Sequence, residues 1–503
     1  MGKLRVRNLI VLLFVAAIPV IAQEGFKSVE SRVVEHTLRN GLKFIILPRH
    51  EAPVVSFVTY ADVGSVDETW GSTGLAHLFE HMAFKGTNTI GTKYYKKEKV
   101  ALEKLDQAYL RLREEQRKGD KADSTKSKQL EKGFAAAQEE ASKYVVSNEF
   151  GTAVEQAGGT GLNASTSWDA TNYYFNLPSN KVELWFSLES ERFLNPVIRD
   201  FYKERDVVME ERRRSIESQP IGKLIEEFLS VAYKAHPYGV SVVGHMSDLQ
   251  AMTRAQAERF FKSHYVPSNL TIAAVGDVEP KEMIRLAEVY FGRIPAAPKP
   301  DPLTTVEPPQ RGERRVFLEE QSQRVMLVGY HKGSILHKDD PVFDAITDLM
   351  SQGRISRLYR SLVRDKKIAT FAGGFSGIPG QKYPGLFLFF AFPSPGHTNE
   401  ECENAIDSEI VRLKTELVDE ATLKAVKTRA RANLIRQLNS NQGLALQFTF
   451  YQAVTGEWRT LFKQLDAIDA VTAQDIKRVA NEYFEKNNRT VAYLEPIKEV
   501  KKP

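Results

Sequence analysis

The pattern that most restricts how this chain can fold is a repeat too diverged to show as sequence identity. Residues 54–60, apolar and strand-like, run to Gly64 and Ser65, and residues 325–330 run in the same way to Gly333 and Ser334. Later in each half a threonine opens a helical stretch. Thr253 leads on to Tyr265 and strand-like residues 270–275, and Thr472 leads on to Tyr483, Phe484 and residues 490–494. Each half mixes alternating strands with long helical periods, so the fold class is α+β, built of two homologous α/β domains. Six prolines between 295 and 309 make a semi-rigid joint, and residues 295–312 are read as the linker.

The front landmarks, Gly64 and Gly333, are 269 residues apart, and the rear ones, Thr253 and Thr472, only 219. About 50 extra residues therefore sit inside the first half. They are visible at residues 93–147. There a charged stretch carries Leu102, Leu105, Tyr109 and Leu112 at helical spacing, breaks at Gly119, and resumes through Leu130, Phe134, Ala137 and Ala141. An inserted antiparallel helical hairpin is expected, its charge a solvated face or, alternatively, a docking surface. The first domain then spans residues 23–294 and the second 313–498.

Of 503 residues, 42% are hydrophobic and 26% charged, which places the chain among globular proteins. Its net charge is +5, but Lys3, Arg5 and Arg7 all precede an apolar run at residues 9–21 that closes on Val20 and Ala22. Residues 1–22 read as a cleaved secretory signal; a membrane anchor is the competing reading, and the run falls short of the ~20 residues a span needs. Cleavage removes three positive charges and leaves +2, which takes away the main support for a nucleic-acid partner. Export is expected, to the periplasm of a Gram-negative cell or otherwise outside, with no stable membrane span. The single cysteine, Cys402, rules out an internal disulfide and a thiolate-rich metal site. It lies in a charged helical stretch, where an inert role is expected.

Residues 74–84 look helical, and His77 and His81 stand four apart, so one face presents two imidazoles to one metal. Glu80 sits beside them, near enough to take a proton from a water at that metal. Two nitrogens and a carboxylate with an open position suit Zn2+, one per chain. The plainer reading is a chance cluster of polar residues, which at this histidine content arises in roughly one chain per hundred. A third ligand is still required. Within residues 202–212, Glu204 and Glu211 lie seven apart on one helix face, while Glu210 points about 100° away. Spacing alone does not choose between Glu204 and Glu211, and by itself favours a solvated charged helix.

With these residues in place, the sequence resembles the pitrilysin family of inverted-motif zinc metallopeptidases, and among them the small two-domain members similar to the mitochondrial processing peptidase beta subunit. The resemblance runs through Gly41 and Leu42 in an opening strand, residues 74–87, residues 163–174 and residues 204–211, and covers nearly all of the mature chain. It implies that His77, His81 and Glu211 are the zinc ligands, that Glu80 is the general base, and that Glu204 orients the site from behind. It also implies that Asn163, Ala164, Ser165 and Thr166 form an edge strand that pairs with substrate main chain. Without the resemblance that strand only closes a sheet, with Tyr173 and Tyr174 in the core. His81 and Glu211 are 130 residues apart, and removing the insertion leaves about 80, close to the family's usual separation.

At the 269 offset the motif falls opposite Ile346, Leu349 and Met350, and at 219 Glu211 falls opposite Ala430. The second domain is therefore expected to lack zinc ligands and to serve as a wall. The family also places an arginine, and a tyrosine seven residues later, in a zinc-free half to hold the substrate carbonyl. Here those positions read Val363 and Thr370, and Arg364 is one residue out of register. The expectation is a secreted zinc endopeptidase acting on short or unfolded peptides in a closed chamber. A heterodimer with a zinc-free subunit carrying that Arg and Tyr would complete it, with a homodimer as the alternative and a monomer behind both. A non-catalytic core or scaffold subunit is the competing function, though a scaffold has no need of Glu80 or an intact ligand set.

Overall fold

A computed structural model of the protein describes residues 28–497, so the segment 1–22 read as an export signal lies outside the described residues. Six strands, β1 (Val34–Thr37), β2 (Lys43–Pro48), β3 (Val54–Ala61), β4 (Thr160–Thr166), β5 (Thr171–Pro178) and β6 (Leu270–Gly276), make one sheet in the order β1-β2-β6-β3-β5-β4. Five more, β7 (Arg314–Glu320), β8 (Val325–His331), β9 (Ala369–Ile378), β10 (Leu386–Pro393) and β11 (Arg489–Pro496), make a second in the order β7-β11-β8-β10-β9. Each sheet has a single parallel pair, β2 with β6 and β7 with β11, and is otherwise antiparallel. Without β1 the two sheets share one topology.

The central strands are buried in nearly unbroken runs because both faces of each sheet are covered. Side chains alternate across a strand, so Phe44, Ile46 and Phe57 enter the first domain's own helical core, where Phe57 stacks on Trp185 at 4.4 Å. The opposite face, with Ile45, Leu47, Val58, Ala273 and Val275, is covered by the second domain's helix Asn441–Thr455 through Leu444, Ala445 and Phe448. The favour is returned. Helix Pro220–Ala232 of the first domain lays Leu224, Phe228 and Leu229 on Val325, Leu327, Leu386, Leu388 and Leu494 of the second sheet. Gly329 permits that approach, since a Cβ there would lie 2.6 Å from Phe228 Cζ. Phe228 and Phe448 are each almost wholly buried, contributing roughly 1.5–3 kcal/mol apiece.

Helices Tyr95–Gln116 and Ser124–Ser142 form a hairpin whose inner face, with Leu102, Leu105, Tyr109 and Leu112 buried, lies against helix Phe201–Arg212. The Tyr109 and Tyr202 rings meet at 4.3 Å, Arg205 donates to Tyr109 Oη at 2.6 Å, and Asp106 accepts from Tyr202 at 3.1 Å. Among the described residues no helix is long and apolar enough to cross a membrane.

Polar contacts also tie the halves together. Asp169 accepts from Tyr238 Oη at 2.6 Å and from the backbone N–H groups of Gln381 and Lys382 at 2.8 and 3.0 Å. His236 is buried beside them, its Nδ1 accepting the Tyr238 N–H at 3.2 Å. Burial pushes its pKa down to about 4, against the pull of Asp169 and Glu307. Below the unfolded value of about 6.5 the unfolded chain binds a proton that the folded chain refuses, so stability falls as pH drops from 6.5 towards 4. We expect His236→Asn, which keeps an acceptor for Tyr238 but does not titrate, to abolish a loss on the order of 2 kcal/mol across that window, measured by denaturant unfolding at pH 7 and pH 4.5.

Candidate metal centre

Helix Leu75–Met82 begins after Gly74, whose φ of 93° and approach to the Val243 carbonyl, 2.5 Å from where a Cβ would stand, together demand glycine. The Glu68 carboxyl receives the Gly74 and Ala76 N–H groups at 2.8 and 2.7 Å, capping the helix, and burial pushes its pKa up to about 8. Leu75, Leu78, Phe79 and Met82 enter the core. His77 and His81, on another face, meet ring to ring at 5.0 Å and 82° and look towards helix Phe201–Arg212.

Glu211 Oε2 lies 3.7 Å from His77 Nε2 and 3.5 Å from His81 Nε2. Four ligands held tetrahedrally at about 2.0–2.1 Å have donor atoms roughly 3.4 Å apart, so these separations fit a single ion with little contraction. Two imidazole nitrogens and one carboxylate oxygen are the donor set of an open zinc site. Among the described residues this is the one group of three His, Cys, Asp or Glu donors within 4.8 Å of one another.

The two candidate glutamates are separated by geometry rather than spacing. Glu204 stands on the far side of His81, with Oε2 at 3.5 Å from Nδ1, and Lys85 Nζ bonds its other oxygen. Glu210 turns outward to Arg213 at 3.0 Å. Burial, reinforced by the neighbouring His81, pushes the His77 pKa down, while the Glu204 hydrogen bond holds that of His81 up. Burial also acts on Glu204, but bonds from His81 and Lys85 outweigh it and lower its pKa. Glu80 is half-buried, and its carboxylate makes no hydrogen bond among the described residues. Lys85 was not singled out in the sequence, although it lies one turn beyond His81, within reach of the spacing that pairs the histidines.

Asn163, Ala164, Ser165 and Thr166 lie on β4, the outer strand of the first sheet, paired with β5 on one side and open on the other. Tyr173 is buried and Tyr174 half-buried behind them. In the second domain Arg364 is exposed and clasped by Asp365 at 2.6 Å, while the Thr370 hydroxyl donates to the Phe392 carbonyl at 3.2 Å.

The counterpart of the histidine helix is Asp340–Ser351. It starts sooner after β8 than Leu75–Met82 starts after β3, so the 269 offset fails at this point. Ile346, Leu349 and Met350 are core residues. The face set towards helix Glu420–Gln437 instead carries Asp344, Thr347 and Asp348, which line a cavity together with Ala430, and Asp348 is ion-paired to Arg429 of that helix.

Two sheets of one topology and a helix bearing His-x-x-Glu-His opposite a carboxylate helix define a two-domain zinc-peptidase fold. The family described as Insulinase (Peptidase family M16) matches residues 44–109 and 137–245, skipping part of the hairpin, and the Peptidase M16 inactive domain matches residues 251–430. The chain belongs to peptidase family M16, the pitrilysin family. The zinc protease PqqE of Helicobacter pylori is 28% identical over 470 residues, 92% of each chain. A probable mitochondrial-processing peptidase subunit beta of Arabidopsis thaliana is 21% identical over 96% of this chain and 82% of its own. The crystal structure of a protease from Helicobacter pylori superposes with a TM-score of 0.76 at 26% identity, over 92% of this chain and 99% of that one.

Glu204→Gln is expected to weaken zinc binding by about 10–100-fold, because an imidazole loses the carboxylate behind it. Glu210→Gln should leave it unchanged. Competition against a chromophoric chelator measures both.

Proposed function

We propose that this M16 chain is an exported zinc-dependent endopeptidase that hydrolyses short or unfolded peptides. The observation supporting this most directly is the convergence of His77, His81 and Glu211 beside the unbonded carboxylate of Glu80. When bound, the zinc ion supplies Lewis acidity to a water and to the scissile carbonyl. Glu80 takes the water's proton and delivers it to the leaving amine. Glu204, held by Lys85, accepts a hydrogen bond from Nδ1–H of His81 and so keeps that imidazole in the tautomer whose Nε2 lone pair is free for a metal. The open edge of β4 offers the backbone of Asn163 to Thr166 to an extended peptide, a mode of binding that depends little on side-chain sequence and requires an unfolded substrate.

Residues 1–22 direct export. The working particle contains a second chain, by preference one that supplies the arginine and tyrosine that Val363 and Thr370 do not, and otherwise a second copy of this one. Named zinc proteases among the relatives and the free Glu80 carboxylate favour catalysis over a scaffold role.

The test is peptide cleavage by the purified chain before and after chelation, with Glu80→Gln alongside. The variant should keep one zinc per chain while its rate falls at least about 100-fold. Cleavage that survives chelation, or an unimpaired variant, would reject the mechanism. Full activity of the isolated monomer would reject the need for a partner.

A further inference from the structure

The second domain contains a cavity of about 460 Å³ remote in sequence from the histidine motif, walled in part by the helical segment around residues 357–365 and by helix Glu420–Gln437. A volume of that size falls within the range of small-molecule sites. Three of its cations, Arg357, Arg360 and Lys366, have no carboxylate within ion-pairing distance among the described residues. Ser356, also in the wall, is only 3% exposed, and among the described residues its hydroxyl has no hydrogen-bond partner; the enclosed Arg357 Nη1 has none among them either.

The acids around the cavity do not answer these charges because each is already engaged. Asp365 is held by Arg364 at 2.6 Å and Glu409 by Arg412 at 2.9 Å. Asp419 accepts the N–H and hydroxyl of Thr422 at 2.8 and 2.7 Å. Burial and the adjacent Arg412 push the Arg357 pKa down, against the pull of Glu409, Glu416 and Asp419. Enclosed guanidinium and hydroxyl groups left without partners are costly, and proteins keep them where a ligand satisfies them.

We propose that this cavity binds a phosphate group, as the free ion or as a phosphate monoester, through Ser356, Arg357, Arg360 and Lys366. A monocarboxylate would neutralise one of three charges, whereas a phosphate carries about −1.5 to −2 and several acceptor oxygens. Guanidinium groups match phosphate oxygens with paired N–H donors. The space left over, bordered by Leu349, Ile355 and Ala425, accommodates a small organic moiety on the ester.

Titration calorimetry of the zinc-loaded full chain tests this with inorganic phosphate and glycerol 3-phosphate as probes and succinate as the carboxylate control. One saturable phosphate site per chain is expected, weakened at least about tenfold by Arg357→Gln and several-fold by Lys366→Gln, with zinc content unchanged. The tighter of the two phosphate probes identifies the source. Lys366 is exposed at the rim, so Lys366→Gln decides the matter should Arg357→Gln fail to fold. Absence of saturable phosphate binding, indifference to both substitutions, or succinate binding as tight as phosphate would overturn the proposal.

Discussion

The proposed centre depends on one helix–helix contact, that of Leu75–Met82 with Phe201–Arg212. It brings Glu211 to two imidazoles from which it is separated by 130 or more residues of chain. Arg199, fully buried just before the second helix, fastens the contact. Its guanidinium donates to the carbonyls of Lys85, Thr87 and Ile90, directly after the histidine helix, and to the carboxylate of Glu98 at the root of the hairpin. One buried cation thus ties the turn after the histidine helix and the root of the hairpin to the start of the glutamate helix. The inserted hairpin then braces the same helix from outside through Tyr109, Asp106 and their partners.

The second contribution to that geometry comes from the other domain. Helix Pro220–Ala232 follows the glutamate helix within a few residues and is packed on the second sheet, while Asn441–Thr455 stands in the same relation to Glu420–Gln437 and is packed on the first. Each half therefore covers a face that the other cannot cover for itself. A domain without histidine ligands still fixes the position of Glu211, because it anchors the helix that comes next. Loss of apolar burial on either sheet should be felt at the donor cluster.

The repeated strands, the histidine pair and the adjacent Glu80 were legible in the sequence because each is a local pattern, a short run of strand-forming residues or one helical turn. The choice of Glu211 over Glu204 was not legible in the spacing and came only from the family resemblance. Both lie on one helix face, and only docking against His81 sends one to the Nε2 side and the other to Nδ1. The exchange of helices was hidden for a related reason, since Leu224 and Phe228 show that a face is buried but not which sheet buries it. The 269 offset held from β3 to β8 and failed at Asp340–Ser351, because a shorter connection precedes that helix and a landmark in the strand before it does not report it. Arg199 looked like any charged residue, and its burial follows from carbonyls that a sequence does not display.

The central claim is that two histidines and one distant glutamate hold a single zinc. Zinc K-edge X-ray absorption on the purified chain, compared with Glu211→Gln, tests it most directly. One zinc per chain is expected, with two imidazole nitrogens and a carboxylate oxygen at about 2.0–2.1 Å, and a first shell that changes in the variant. A shell with fewer than two imidazoles, or one identical in Glu211→Gln, would contradict it.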